Sequence, residues 1–224
     1  MMIADIGGYT RFMKLHRMSL AHSHVITGRL LKAVVKAVPD LRLIEIEGDA
    51  AFFFLPDTGE QRRSVTDLSL AMHQAFHREQ QQMVARNLCA CDACHQAGEL
   101  KLKFVAHVGE GAMQKIQRQS QLVGVDVIAI HRMLKNSVPV DEYVLMSEAV
   151  YERCPPELRE QVRTVEERLE GLDETTLYFL DLEPLVPEAG PPPRASLPRR
   201  LGETLGVVFR GLPAMVRSRS TSSG

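Results

Sequence analysis

The stretch Met1-Met2-Ile3-Ala4-Asp5-Ile6-Gly7-Gly8-Tyr9-Thr10 decides the fold of this 224-residue chain. An apolar strand runs into Asp5 and is followed by a Gly-Gly turn and a helix start. A second acidic strand end follows, where Gly48-Asp49 forms a tight turn between two apolar segments. Each aspartate alone is more simply a turn or helix-capping residue. In this order the two predict a site for a hard divalent cation and a phosphate chain, because carboxylates suit magnesium and turn N–H groups suit phosphate.

Composition and charge are typical of a globular protein. The chain is 45% hydrophobic and 25% charged, with a net charge of −1 that favours neither a nucleic-acid nor a membrane partner. No apolar run reaches the roughly 18 residues that cross a bilayer, and no signal peptide precedes the first strand. Three of the four cysteines lie within six residues, which is typical of metal binding in a reducing compartment. We therefore expect a cytoplasmic protein without a transmembrane segment.

Hydrophobic periodicity predicts the element order β-α-β-β-α-β-(β)-α-β. Apolar residues recur at helical spacing before Pro39 and again after residue 64, and alternate with polar ones in the intervening strands. Further segments predicted from the pattern are a hairpin at 112–121, a helix at 125–136, and strands at 143–146, 163–169 and 175–182. Hairpins interleaved with helices favour an α+β, ferredoxin-like sandwich over a doubly wound parallel sheet.

The composition changes after residue 183. Seven of the twelve prolines lie between Pro184 and Pro213, and six arginines follow Leu185 against two glutamates. We therefore expect one domain over residues 1–183, with a Cys-rich insertion at 88–97, and a Pro/Arg-rich linker and tail over 184–224. The segment 197–216 has the pattern of a basic amphipathic helix that could touch anionic lipid or a partner, but its glycines favour disorder.

These motifs, in this order, resemble the class III adenylate/guanylate cyclase catalytic domain over residues 1–182, and more closely its uncharacterised bacterial DUF2652 branch. The opening motif, Gly48-Asp49, the strand-ending His107-Val108-Gly109 and the spacing from Gly124 to Arg132 carry the resemblance. It implies a nucleotidyl-cyclase-like fold. It also implies that Asp5, Ile6 and Asp49 hold Mg²⁺ or Mn²⁺, and that the turn residues Gly7, Gly8, Tyr9 and Thr10 bind phosphate.

The resemblance further implies a homodimer, because the active sites of this family draw residues from two subunits. Arg132 then faces Asp5 and Asp49 across the interface and is the catalytic residue, meeting the charge that builds on the α-phosphate. Metal ions in such sites lower the pKa of the attacking ribose hydroxyl and neutralise the phosphates. The ligand implied is a nucleotide or another phosphorylated small molecule.

Four positions depart from the family pattern. The purine-reading lysine is Glu45, the second purine-reading group is Gln121, the ribose-orienting asparagine is Ile128, and the phosphate-binding lysine aligns near Leu172. The losses at Glu45, Ile128 and Leu172 each cost roughly 1–4 kcal/mol of stabilisation, so efficient ATP cyclisation is not expected. We expect a degenerate or weak cyclase with a signalling role. The alternatives are a non-enzymatic regulatory module and a phosphoryl-transfer enzyme with an unusual substrate.

A second candidate site is the cysteine cluster Cys89, Cys91, Cys94 and His95. Three sulfurs and a nitrogen suit tetrahedral zinc, although adjacent ligands are geometrically awkward. Cys154, a histidine of the second long helix or a partner subunit could supply the fourth ligand instead of His95. The alternative is a reduced thiol cluster that only packs.

Two other groups of histidines have simpler interpretations. His73 and His77 lie four residues apart on one helix face and are predicted to be a surface pair in preference to a metal site. His107 is expected to orient a strand end in preference to acting as a base.

Overall fold

The computed structural model of the protein describes residues 1–13, 17–56, 63–86, 96–117, 119–171 and 174–186. The α-helices are α1 (Tyr9–Met13), α2 (Arg17–Ala37), α3 (Val65–Arg86), α4 (Val125–Met133), α5 (Glu148–Tyr151) and α6 (Pro156–Arg159). The strands are β1 (Met2–Gly7), β2 (Arg42–Glu47), β3 (Ala50–Phe54), β4 (Lys101–Ala106), β5 (Ala112–Ile116), β6 (Gln119–Val123), β7 (Tyr143–Met146), β8 (Arg163–Arg168) and β9 (Glu174–Asp181).

Seven of the strands form one mixed sheet in the order β2-β3-β1-β4-β7-β9-β8. Neighbouring strands run antiparallel except β4 and β7, which are parallel. The first four strands have the spatial order 4-1-3-2 with helices between them, which is the arrangement of a ferredoxin-like fold. The predicted α+β class is confirmed, and β5 and β6 form a separate two-stranded hairpin.

The chain divides into two compact units. The first consists of Met1–Gly7, Val34–Gln74 and Lys101–Pro187, and it contains the whole seven-stranded sheet. Its core lies between one face of the sheet and α4, where Ile3, Val105 and Leu145 of the strands cluster with Ile130 and Met133 of the helix. Strand side chains alternate between the two faces of a sheet, and Ala4, Phe104 and Val144 of the opposite face are also buried.

Of the described residues, the second unit contains Gly8–Ala33 and Ala75–Leu100. Arg29 Nε donates to Glu79 Oε1 at 2.8 Å and links α2 to α3 inside this unit. Gln80 Nε2 donates to the carbonyl oxygens of Ala97 and Leu100, both at 2.8 Å, and holds the short 3₁₀ turn Ala97–Glu99 against α3.

The predicted C-terminal linker and tail lie almost wholly outside the described residues, which end at Val186. That part of the domain prediction therefore stays a prediction. Within the described part of the chain, no helix combines the length and the apolar character that a membrane crossing needs.

Candidate metal and phosphate site

Strand β1 and the β2–β3 hairpin bring Asp5 and Asp49 to the same end of the sheet. Asp5 is the register partner of Ala50, the residue directly after Asp49. Gly48 has a φ of 61°, a conformation that favours glycine, and with Asp49 it makes the two-residue turn between β2 and β3. The N–H group of Ile6 donates to the carbonyl oxygen of Asp49 at 3.2 Å and ties the turn to β1.

The two carboxyl groups repel each other. Burial, followed by the negative charge of Asp5, raises the pKa of Asp49 to about 6. The backbone N–H group of Asp49 and the ammonium group of Lys103 partly oppose this rise. A divalent cation between the carboxylates would relieve the repulsion, and carboxylate oxygens are the ligands that Mg²⁺ and Mn²⁺ prefer. Asp5, Asp49 and the carbonyl oxygen of Ile6 are the groups that would hold it.

The raised pKa of Asp49 has a consequence for stability. Between about pH 4 and pH 6 the folded protein binds more protons than the unfolded chain, so the free energy of unfolding falls as pH rises through this window. We expect Asp49→Asn to be more stable than wild type at pH 7.5 by about 1 kcal/mol, after allowance for solvent screening of this half-buried group. The difference in the free energy of unfolding between Asp49→Asn and wild type should be smaller at pH 4.5. Urea unfolding at both pH values measures it, and a variant that is less stable than wild type at pH 7.5 would contradict the electrostatic account.

A lysine that sequence reasoning missed also faces this site. Lys103 lies directly opposite Asp5 in the β1–β4 pairing, and its Nζ atom is 3.2 Å from Asp5 Oδ2. The available signal was the position of Lys103 between the apolar residues Leu102 and Phe104 of β4. An inward-facing lysine in a buried strand requires an acidic partner, because an unpaired buried charge is costly.

The predicted phosphate-binding turn directly follows β1 in the chain. β1 ends at Gly7, Gly8 has a φ of 83°, and α1 begins at Tyr9. Within the second unit, the carbonyl oxygen of Gly8 accepts a hydrogen bond from the Phe12 N–H group at 3.1 Å. The strand–turn–helix sequence expected for Gly7, Gly8, Tyr9 and Thr10 is therefore present.

Arg132 lines a separate cavity of about 510 Å³ in the first unit. His131, Lys135 and Arg168 add basic side chains to its wall, and Glu47 and Glu170 add acidic ones. A Cβ atom built on Gly171 would lie 2.9 Å from Arg132 Nη1, so the turn after β8 closely covers the guanidinium group. Among the described residues no ion pair joins Arg132 to Asp5 or Asp49. The cavity has the charge to attract an anion.

Three of the four residues that depart from the cyclase pattern lie in described strands or helices. Glu45 is the register partner of Phe52 in the β2–β3 pairing, and Gln121 pairs with Gln114 in the β5–β6 hairpin. Ile128 lies on α4 with half of its surface exposed, and it lines the same cavity as Arg132. Leu172 lies outside the described residues.

His107 directly follows β4, and its side chain contacts Asp126. Its Nε2 atom is 3.2 Å from Asp126 Oδ1, while Asp126 Oδ2 accepts a hydrogen bond from the Glu110 N–H group at 2.7 Å. That backbone hydrogen bond is the main reason why the pKa of Asp126 is lowered. These contacts agree with the expectation that His107 orients a strand end.

Gly109 has no Cβ atom, and the side chain of Asp126 occupies the space that a Cβ atom would need. A Cβ atom at this position would lie 2.4 Å from Asp126 Cγ. We therefore expect Gly109→Ala to lower the free energy of unfolding by about 1–3 kcal/mol, because it displaces Asp126 from both partners. Gly28→Ala is the control, since no atom lies within 4 Å of its added Cβ and alanine favours helix. Equal effects of the two substitutions in urea unfolding would rule out this role for Gly109.

The predicted surface pair of histidines is wrong for His73. This residue is 3% exposed, and its Nε2 atom lies 3.2 Å from Glu142 Oε1. Glu142 is itself buried and accepts a hydrogen bond from the Leu102 N–H group at 2.9 Å. Burial of an imidazole requires a polar partner, and Glu142 supplies one. His77 follows one helical turn later and belongs to the second unit.

The cysteine cluster of Cys89, Cys91, Cys94 and His95 lies outside the described residues. The zinc site therefore stays a prediction. Cys154 is buried in the first unit as a free thiol, and burial raises its pKa.

Comparison with known proteins gives one family. Residues 27–143 match the family described as protein of unknown function (DUF2652). The uncharacterized protein Rv2561/Rv2562 of Mycobacterium tuberculosis is 39% identical over 165 residues, which cover 71% of this chain and 77% of the relative.

Solved cyclase structures share the fold. The adenylyl cyclase CyaB from P. aeruginosa superposes with a TM-score of 0.57 at 14% identity, covering 85% of this chain and 94% of that one. A bacterial light-regulated adenylyl cyclase gives a TM-score of 0.56 at 12% identity and covers 93% of this chain, which spans 56% of that structure. The guanylyl cyclase Cya2 gives 0.51 at 15% identity, over 80% of this chain and 88% of that one. The chain belongs to the DUF2652 family and has the fold of the class III adenylyl and guanylyl cyclase catalytic domains.

Proposed function

We propose that this protein is a cyclase-like signalling domain that binds a divalent cation and a nucleotide, or another phosphorylated ligand, with weak or degenerate cyclase activity. The observation that carries the proposal is the pair Asp5 and Asp49, whose mutual repulsion contributes to the raised pKa of Asp49. Two carboxylates held at one end of a sheet, next to a strand–turn–helix segment in the chain, are a suitable acceptor for a metal–phosphate ligand.

Each residue has a distinct proposed role. Asp5, Ile6 and Asp49 hold the cation, which when bound neutralises phosphate charge and lowers the pKa of an attacking hydroxyl. Gly7, Gly8, Tyr9 and Thr10 bind phosphate oxygens. Arg132 stabilises negative charge that develops in the transition state. Ile128 cannot donate the hydrogen bond that orients a ribose, which supports weak catalysis.

We also propose that the protein is a homodimer. Three apolar side chains are unusually exposed on β2 and α4, namely Ile46 (51%), Val125 (67%) and Ile128 (50%). Such exposure is expected at a surface that a partner covers. Ile128 lines the same cavity as Arg132, so a partner subunit that buried Ile128 would also cover this cavity.

Ile128→Glu tests the dimer directly. A charge at this position should give a monomer in sedimentation equilibrium, whereas Val84→Glu, at an exposed apolar residue of α3 in the second unit, should leave the dimer intact. A wild-type monomer, or an unchanged dimer in Ile128→Glu, would contradict the proposed interface.

Isothermal titration of nucleoside triphosphates in the presence of Mn²⁺ tests the ligand proposal, and product analysis over the same nucleotide panel tests for residual activity. We expect metal-dependent binding that Asp5→Ala plus Asp49→Ala removes, whereas Arg132→Ala should lower product formation and leave binding largely unchanged. Absence of binding by wild type would overturn the proposal.

A second proposal concerns the cysteine cluster. Cys89, Cys91, Cys94 and His95 would bind Zn²⁺, and the protein would act as a non-enzymatic regulatory module in the cytoplasm, whose reducing conditions keep such thiols free. Metal analysis of the purified protein should then find zinc in wild type and less in Cys91→Ser. Wild-type protein without zinc would exclude this form of regulation.

A further inference from the structure

The side chain of Lys103 already contributes a positive charge to the proposed cation site. Its Nζ atom lies 3.2 Å from Asp5 Oδ2, and both side chains are largely shielded from solvent, at 24% and 18% exposure. Strand pairing fixes this contact, because Asp5 and Lys103 are directly opposed in the antiparallel β1–β4 register. The ammonium group is therefore held beside the carboxylate by the backbone of two central strands.

The positive charge of Lys103 also acts on Asp49 and on the hydroxyl group of Tyr143. Lys103 contacts Asp5, and its charge also lowers the pKa of Asp49, whereas Asp5 raises it. Burial raises the pKa of Tyr143, and both Lys103 and Asp5 influence this hydroxyl. The Tyr143 hydroxyl donates to Asn136 Oδ1 at 2.9 Å and so is directed to a different partner.

The charges of the site limit the number of divalent ions that it can hold. Two carboxylates can neutralise one divalent ion, or two ions if the ligand adds phosphate charge, but Lys103 supplies one of those positive charges itself. A second divalent ion beside Asp5 would meet the ammonium group at a few ångströms, where like charges repel strongly in a partly shielded site.

We propose that Lys103 is a specificity-determining residue that takes the place of a second divalent ion, so that each chain binds one divalent cation and binds it more weakly than two unpaired carboxylates would. This inference rests on the proposed cation-binding function. It adds that Lys103 determines how many divalent cations bind to each chain and how tightly they bind.

Titration of the metal-free full-length protein with Mn²⁺, followed by electron paramagnetic resonance of the free ion, tests the proposal. Wild type should bind one Mn²⁺ per chain. Lys103→Met, which keeps the length of the side chain, should bind Mn²⁺ about tenfold more tightly and admit a second ion. Lys103→Arg should behave as wild type. Lys101→Met is the matched control on the same strand, because Lys101 Nζ lies 3.7 Å from Glu142 Oε2 and pairs with that residue.

A metal-free measurement separates this inference from the proposed function. A double-mutant cycle compares the effect of Lys103→Met in wild type with its effect in the variant Asp5→Asn plus Asp49→Asn. In wild type, Lys103→Met should raise the unfolding equilibrium constant about tenfold. In the Asp5→Asn plus Asp49→Asn variant it should hardly change that constant, because this variant has no carboxylate charge for Lys103 to neutralise. Absence of Mn²⁺ binding in every variant overturns the proposed function and this inference together. Mn²⁺ binding that Lys103→Met leaves unchanged, or two ions in wild type, overturns this inference alone.

Discussion

Replacing Asp5 and Asp49 together with alanine is expected to weaken Mn²⁺ binding at least about 100-fold. The two residues provide the carboxylate oxygens of the proposed site, and even groups that only orient metal ligands change affinity by about 10–100-fold when mutated. With both carboxylates removed, the positive charge of Lys103 loses its partner Asp5 and would repel a cation. Isothermal titration of Mn²⁺ into the metal-free protein measures the effect.

The control for this double variant is Asp141→Ala. Asp141 is an exposed aspartate just before β7, so its loss removes one negative charge without touching the site. We expect its Mn²⁺ affinity to stay within about twofold of wild type, because exposed charges at a distance are screened by salt. If the double variant and the control bind Mn²⁺ equally well, the cation lies elsewhere.

Replacing Phe104 with alanine is expected to lower the free energy of unfolding by about 3–5 kcal/mol. Phe104 is fully buried in β4, the middle strand of the seven, and its register partners are Ala4 of β1 and Val144 of β7. Removing the ring leaves a cavity against both neighbouring strands, and a close-packed interior relaxes only partly.

Urea unfolding followed by circular dichroism measures this loss. Met113→Ala is the control, because Met113 is 44% exposed on the β5–β6 hairpin and should change the free energy of unfolding by no more than about 0.5 kcal/mol. A loss below about 1 kcal/mol for Phe104→Ala would mean that β4 is not the centre of the core.

Much of the fold can be predicted from local patterns. Leu68, Met72, Phe76 and Met83 recur at helical spacing on α3, and all four are buried. Gly48-Asp49 closes the predicted hairpin because glycine accepts the positive φ that such a turn requires. The last two strands were predicted at 163–169 and 175–182 and lie at Arg163–Arg168 and Glu174–Asp181. These features depend on residues close together in sequence.

The candidate site could be predicted only in part, because half of it depends on strand register. The positions of Asp5 and Asp49 follow from turns next to each residue. The contact of Lys103 with Asp5 depends on which residues of β1 and β4 oppose each other, and no local pattern specifies that pairing. The same reason explains the error at His73, whose partner Glu142 is distant in sequence.

The most direct test of the central claim is the position of the metal itself. Crystals soaked with Mn²⁺ and a nucleoside triphosphate analogue should show one anomalous scattering peak per chain, at coordination distance of about 2.1 Å from carboxylate oxygens of both Asp5 and Asp49. Triphosphate density should follow the turn at Gly7 and Gly8. An anomalous peak at any other position, or none at this end of the sheet at saturating Mn²⁺, would contradict the account.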